Sequence, residues 1–274
     1  MSPVAAVAEA AGVPLLRPDS ARDEHFRDQL RSLEADVFLV ASYGELFDDE
    51  LLSMPKAVCL NVHGSVLPRW RGASPIQSAI MAGDTVTGVT IQRMVKRLDA
   101  GDVLLARETP IGSDETSGEL FDRLAVLGAD VAIEVLDLIA AGQETYTPQD
   151  PELVTRCRKL DKALGELDWS EAAVALQRRV RAVTPWPGAR TRLPDGRTLG
   201  LLRTRVAEDA PGSHGVGALL PEPLTSGRLV VVTGDGTLEL LEVKPEGKRA
   251  MAPRDFLNGT ALEAGAHLQS GSDS

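Results

Sequence analysis

The sequence predicts two domains of different build: an α/β domain whose mostly parallel sheet is covered by helices, then a small β-rich barrel or sandwich. Three observations predict this. Up to about residue 143, short apolar runs alternate with helical stretches, the pattern of parallel strands buried on both faces. Beyond that point the period changes, and short strands recur between glycine-bearing turns. The length, 274 residues, gives a prior of two domains at roughly 150 residues each. Either can bury a core without disulfide or metal staples.

In the first half, Val13–Leu16 is a short apolar strand behind Gly12, and His25–Leu33 belongs to a polar helix. Val37–Ala41 is a continuous apolar strand stopped at Tyr43-Gly44, and Val58–Val62 is a second. Ser74–Met81 is helical, with Pro75 in the first turn, where a missing N–H costs nothing. Gly88–Met94 and Val103–Pro110 read as strands. Thr116-x-x-Glu119 is a capping box opening the longest helix. Its core stripe is Leu120, Leu124, Leu127, Val131, Val135 and Leu138.

In the second half, the polar stretch Tyr146–Val154 leads to a helix over Glu171–Val183, stopped by Thr184-Pro-Trp-Pro-Gly188. Five β-rich runs follow: Arg190–Leu193, Thr198–Arg205, Val216–Leu220, Leu229–Thr233 and Thr237–Val243. The turns Pro194-Asp-Gly196 and Gly234-Asp-Gly236 punctuate them. The polar tail after His267 is expected to fray.

Composition excludes several classes. Apolar residues are 43% and charged residues 25%, ordinary for a globular chain and wrong for a disordered, collagenous or coiled-coil one. The best membrane-span candidate, Ala129–Gly142, is broken by Glu134 and Asp137. Met1–Leu16 lacks the basic flank of a signal peptide. Cys59 and Cys157 show no CxxC spacing, which fits a reducing cytoplasm and gives no metal pattern. The net charge is −11, yet residues 156–205 hold 12 basic and 5 acidic residues, a net of +7. A basic band in an acidic protein is either a footprint for a polyanion or a solvated face.

No GxGxxG, Walker, HExxH or GxSxG motif is present. The chemistry-bearing cluster is Asn61-Val62-His63, ending a strand with Asn61 and His63 on one side. Open α/β sheets place ligands at such carboxyl ends. A loop rich in Trp and Arg follows, Gly64–Ala73, and a second loop carries Asp99 and Asp102 around Gly101. An amide donor for an oxyanion, an imidazole for proton movement and a carboxylate to orient it suit acyl transfer. The same residue types also serve as structural histidines, turn asparagines and loop aspartates.

Leu60-Asn-Val-His-Gly-Ser-Val-Leu-Pro-Arg-Trp-Arg-Gly-Ala-Ser-Pro-Ile-Gln77 resembles the signature of the methionyl-tRNA formyltransferase family. So do Ala82-Gly-Asp84, Thr87-Gly-Val-Thr-Ile91 and Leu98-Asp-Ala-Gly-Asp102. In the second half the likeness continues through Arg158-Lys-Leu160, Leu167-Asp-Trp169, Arg181-Ala-Val-Thr-Pro-Trp-Pro187, Pro245–Met251 and Asp255–Gly259. The resemblance implies a Rossmann-like catalytic domain over 1–143, a linker over 144–164, an OB-like tRNA-binding barrel over 165–267 and a tail over 268–274. It implies transfer of a formyl group from 10-formyltetrahydrofolate to the amine of methionyl initiator tRNA, with no metal and no membrane, by a cytoplasmic monomer. Asn61, His63 and Asp99 match the family's catalytic trio. Ser65, Val66, Leu67 and Pro68 match its folate-contacting turn, with Val66 where leucine is usual, and Tyr43-Gly44 should wall the same pocket. Arg178, Arg179, Arg181, Lys244, Lys248 and Arg249 are the expected tRNA contacts.

Two departures stand out. The family's chain normally begins earlier, so Ser2-Pro-Val4 matches a stretch that follows a first βαβ unit. The resemblance therefore predicts a truncated sheet with an exposed edge, and a chain that folds poorly or has little activity when it starts at Met1. The family also has an acid and a glycine shortly before Leu-Asp-x-Gly, where this chain has Met94-Val-Lys-Arg97. Arg97 either crowds the folate pocket or points to solvent. Two rival readings share the trio: a folate-dependent formyltransferase of a nucleotide sugar or purine precursor, and a non-catalytic tRNA-binding remnant.

Overall fold

The computed structural model describes residues 3–271; Met1, Ser2 and the end of the tail, 272–274, lie outside the described residues. The first half runs α1 (Pro3–Ala10), α2 (Glu24–Ser32), β1 (Val37–Ala41), α3 (Asp49–Ser53), β2 (Val58–His63), β3 (Arg71–Gly72), α4 (Pro75–Ala82), β4 (Val86–Arg93), β5 (Val103–Pro110) and α5 (Ser117–Ala140). The second half runs β6 (Arg156–Cys157), α6 (Ala173–Val183), β7 (Ala189–Arg192), β8 (Thr198–Ala207), α7 (Pro221–Thr225), β9 (Leu229–Val232), β10 (Thr237–Pro245) and α8 (Pro253–Asn258).

The first sheet has the order β1-β2-β4-β5 and is mixed. β1 and β2 are parallel across α3, with Ala41 opposite Val62, so their carboxyl ends lie together. β4 runs antiparallel to both β2 and β5. The β4–β5 connection, Met94–Asp102, is too short for a crossover and forces a hairpin. One face of the sheet packs on α5 and α4, through Leu60, Val89 and Ile91 against Leu120, Leu124, Val131 and Ile80. The capping box starts α5 as the sequence requires: Thr116 Oγ1 accepts from the Glu119 N–H, and Glu119 Oε2 accepts from the Thr116 N–H.

Val13–Leu16 forms no strand, contrary to expectation. Four apolar residues cannot satisfy their backbone without a neighbouring strand, and Val13 is 56% exposed. Among the described residues the outer edge of β1 has no strand beside it, and Leu39 on that strand is 41% exposed. Helix α1 occupies what reads in the sequence only as an alanine-rich stretch.

The second sheet is antiparallel, in the order β7-β8-β10-β9. Trp169, Leu176, Val180, Leu199, Leu201, Leu238 and Val243 share its core. Trp169 is fully buried, and its indole N–H donates to Thr191 Oγ1 at 3.0 Å, which satisfies the one polar atom of the ring. The fifth expected strand, Val216–Leu220, is reduced to single bridges at Ala218 and Leu219, because Gly217 turns the chain at φ +84. The tail is not frayed as far as Gly271. Leu268 is buried in the core, and the Gln269 N–H donates to the Arg192 carbonyl at 2.9 Å.

Helix α6 belongs to the second core yet packs on α4, with Ala182 in the first core. Gly83 ends α4 in the left-handed conformation, and the Arg178 guanidinium lies where a Cβ on Gly83 would stand. Ser117 Oγ and the Gly118 N–H both donate to the Thr184 carbonyl, at 2.8 and 3.1 Å. Arg203 on β8 pairs with Glu119.

Candidate active site

Strand β2 carries the site by alternation. Leu60 and Val62 face α5, so Cys59, Asn61 and His63 face the other way. Antiparallel pairing sets Asn61 beside Gln92 and His63 beside Thr90. His63 is buried, and Asn61 is half-buried. Among the described residues the Asn61 amide makes no hydrogen bond, which leaves both of its N–H groups free to donate.

The loop after β2 is pinned from several sides. Thr90 Oγ1 donates to the Ser65 carbonyl at 2.7 Å and accepts from the Leu67 N–H at 3.1 Å. Ser65 Oγ donates to the Arg69 carbonyl at 2.6 Å. Asp84 takes two bonds from Arg69, at 2.9 and 2.6 Å, and one from the Trp70 indole N–H at 2.8 Å. Burial pushes the Asp84 carboxyl up, but these donors outweigh it and hold the group below the usual range. Trp70 sits at φ +62, a costly conformation for an aromatic residue. Its carbonyl thereby meets His63 Nε2 at 2.9 Å. A carbonyl only accepts, so Nε2 carries a proton, and Nδ1 is the nitrogen left to gain or lose one.

Nδ1 lies 3.7 Å from Asp99 Oδ1, with both side chains more than nine-tenths buried. This distance is beyond a direct hydrogen bond, and in so buried a place it is a close electrostatic contact. Asp99 is at φ +51, in a turn closed by the Ala100 N–H on the Arg97 carbonyl. Its Oδ2 accepts from the Gly72 N–H at 2.8 Å and its Oδ1 from Gln92 Nε2 at 2.9 Å. Gln149 Nε2 reaches the carbonyls of Asp99 and Gly101, at 3.0 and 2.6 Å. Arg71 Nε in turn donates to Gln149 Oε1 at 2.9 Å.

Gln92 and Gln149 do not appear among the residues the sequence points to. Gln92 left a signal, since it is a polar residue directly after the core residues Val89 and Ile91 of β4, and it is 2% exposed. Gln149 left none, because its partners are 78 and 50 positions away.

The expected folate-side residues divide. Tyr43 and Gly44 leave β1 at the same sheet end as His63. Tyr43 is 43% exposed, and nothing stands within 4 Å of where a Gly44 Cβ would point. Burial and the Glu45 carboxylate raise the Tyr43 phenol. Val66 and Pro68 are half-buried, whereas Ser65 and Leu67 are buried, with Ser65 held inside the loop.

The expected tRNA contacts divide too. Lys244, Lys248 and Arg249 are exposed and form no ion pair among the described residues. Arg178 is half-buried at the α4–α6 seam, and Arg179 is paired with Glu171 at 2.7 Å. Arg181 is engaged internally. Its guanidinium donates to the carbonyls of Glu115 and Gly112, at 2.9 and 2.8 Å, and clasps α6 to the loop before α5.

Residues 1–136 match the Formyl transferase family, and residues 159–261 match the Formyl transferase C-terminal domain. The chain is 44% identical to a methionyl-tRNA formyltransferase of Methylococcus capsulatus, over 97% of this chain and 85% of that one. It is 42% identical to the methionyl-tRNA formyltransferase of a Jannaschia species, over 98% of this chain and 85% of that one. Among solved structures, HypX from Aquifex aeolicus in complex with tetrahydrofolic acid superposes with a TM-score of 0.62 at 21% identity. The match covers 84% of this chain and 40% of the HypX chain. A sugar 3N-formyl transferase, WlaRD, superposes with a TM-score of 0.66 at 13% identity, over 90% of this chain and 82% of that one. At these identities the two structures speak for the fold alone.

Proposed function

The chain belongs to the methionyl-tRNA formyltransferase family, and from that premise we propose that it moves a formyl group from 10-formyltetrahydrofolate to the α-amine of methionyl initiator tRNA, for translation initiation. The observation that carries the chemistry is the unbonded Asn61 amide, held at a sheet end beside the His63–Asp99 contact.

The amine of an aminoacyl ester is weakly basic, so much of it is free at neutral pH. It attacks the formyl carbon. The carbonyl π electrons move to oxygen, where Asn61 Nδ2–H donates to the new oxyanion. His63 Nδ1 takes the proton of the attacking amine, and the Asp99 carboxylate stabilises the imidazolium that forms. As the tetrahedral adduct collapses, the bond from carbon to the folate nitrogen breaks. That nitrogen receives the proton and leaves as tetrahydrofolate, and the new amide stays on the methionine. Burial of the pair keeps water away from the charges and strengthens their interaction.

The open space around Tyr43 and Gly44, at the same sheet end, is where the folate would enter, with Val66 and Pro68 beside it. Lys244, Lys248 and Arg249 give the tRNA phosphates an unpaired basic surface on the second domain. A monomer in the cytoplasm, with access to charged tRNA and to folate, completes the reading. The test is release of tetrahydrofolate with methionyl initiator tRNA as acceptor. Turnover on the charged tRNA far above that on free methionine or an amino sugar is expected; equal turnover on the small amines contradicts the assignment.

A further inference from the structure

Arg71 is a buried cation without a carboxylate on it. It is 7% exposed, and its one side-chain hydrogen bond runs from Nε to Gln149 Oε1. The terminal amines make no hydrogen bond among the described residues, and neither is sealed from solvent. The acidic group nearest in effect is Asp99, whose oxygens are already bonded by Gly72 and Gln92.

Two further arginines come to the same place. Arg156 is the register partner of Arg71 in the parallel β3–β6 pair, so the two side chains leave adjacent strands about 4.8 Å apart. Arg97 opens the turn that presents Asp99. Both are exposed and form no ion pair among the described residues. Burial, then the charges of Arg97 and Arg156, pull the Arg71 guanidinium below its usual range. Three like charges converge beside the catalytic trio, and like charges gather at a cost unless an anion joins them.

On the reading of this site as a methionyl-tRNA formyltransferase, we infer that Arg71, Arg97 and Arg156 form a seat for a phosphodiester of the tRNA acceptor end. The methionine is esterified to the terminal nucleotide, so the nearest backbone phosphates must come close to Asn61 whenever the amine does. Guanidinium forks with free N–H groups suit phosphate oxygens. Arg97, which departs from the family's usual glycine, becomes a positioning residue of this chain. It meets the backbone and does not crowd the folate pocket.

The test uses Arg97→Gln, Arg156→Gln and the double variant. Both residues are exposed, so the substitutions leave the core untouched. Binding is read directly, with a single-stranded acceptor-end oligonucleotide and with tetrahydrofolate as separate probes, and steady-state rates are measured between about 50 and 200 mM salt. Each single variant is expected to weaken oligonucleotide binding about 5- to 10-fold and to lower the salt slope by about 0.7, and the double variant by about 25- to 100-fold and about 1.4. The tetrahydrofolate affinity and kcat should stay within about twofold. Weakened folate binding with oligonucleotide binding unchanged assigns the arginines to folate carboxylates and overturns the proposal. No change with either probe makes them a solvated face and also overturns it. Because binding is read without turnover, failure of the wild-type protein to formylate methionyl-tRNA is a separate result, which counts against the family reaction.

Discussion

His63 Nδ1 faces Asp99 Oδ1 across 3.7 Å, while Nε2 of the same ring is fixed as a donor to the Trp70 carbonyl at 2.9 Å. The two contacts divide the work of the ring. One nitrogen holds the orientation, and in the proposed mechanism the other exchanges a proton beside a buried carboxylate. Replacing Asp99 by Asn keeps the volume and the bond from the Gly72 N–H but removes the charge. Asp99→Asn is expected to lower kcat about 10²- to 10⁴-fold with tRNA binding unchanged. Single-turnover rates against filter-binding affinity check this.

The carboxylate is held from a distance. Gln149 ties the turn carrying Asp99 to Arg71 through four polar contacts, two of them to the carbonyls of Asp99 and Gly101. Gln149→Ala is expected to leave the fold intact and to cut kcat about 10- to 100-fold by letting the turn relax. If its role were structural alone, the melting temperature would fall and the rate of the folded fraction would not.

Gly72 is required where β3 touches β6. At φ +125, an added Cβ would stand 2.1 Å from the Cys157 carbonyl oxygen. Gly72→Ala therefore separates the strands and moves the N–H that Asp99 accepts. The expected cost is more than about 1 kcal/mol of stability, with loss of activity, read by denaturant unfolding and by turnover.

Glu119 closes the α5 capping box and reaches across to Arg203 on β8. The Thr116 backbone N–H, then Arg203, lower its carboxyl to about 2. A depressed carboxyl contributes stability above its unfolded value near 4.3 and loses it as pH falls through its folded value. The contribution is therefore full at neutral pH and drains between about pH 4.3 and 2. Glu119→Gln should flatten that part of the acid-unfolding curve and lower the melting temperature at pH 7. An unchanged acid limb contradicts it.

Burial pushes the Cys59 thiol up to about 12 and also raises Cys157. Both shifts disfavour the thiolate, so the native protein should react more slowly with a thiol reagent than the unfolded chain, with both groups exposed at once in denaturant. Fast labelling of Cys59 without denaturant contradicts its burial.

Much of this was legible in the sequence. Val103–Pro110, Val37–Ala41 and the Thr116–Glu119 box fall where apolar runs and capping chemistry place them. Asn61 and His63 were legible because strand alternation is local. The gathering of Gln149, Arg71 and Asp99 was not, since it depends on closure between segments far apart in the chain. The fate of Arg181 was hidden for the same reason. A basic residue on a helix reads as a surface contact until the partner domain's carbonyls arrive. Val13–Leu16 shows the converse error, in which an apolar run suggests a strand but only a neighbouring strand makes one.

The most direct test is formyl transfer to methionyl initiator tRNA by the wild-type protein and by Asn61→Ala, each with tRNA affinity measured alongside. Folate-dependent N-formylation by the wild type is expected, with a fall of about 10²- to 10³-fold in Asn61→Ala and tRNA affinity unchanged. Equal rates in the two proteins contradict the role given to Asn61, and tight tRNA binding with no transfer by either contradicts the formyl-transfer function.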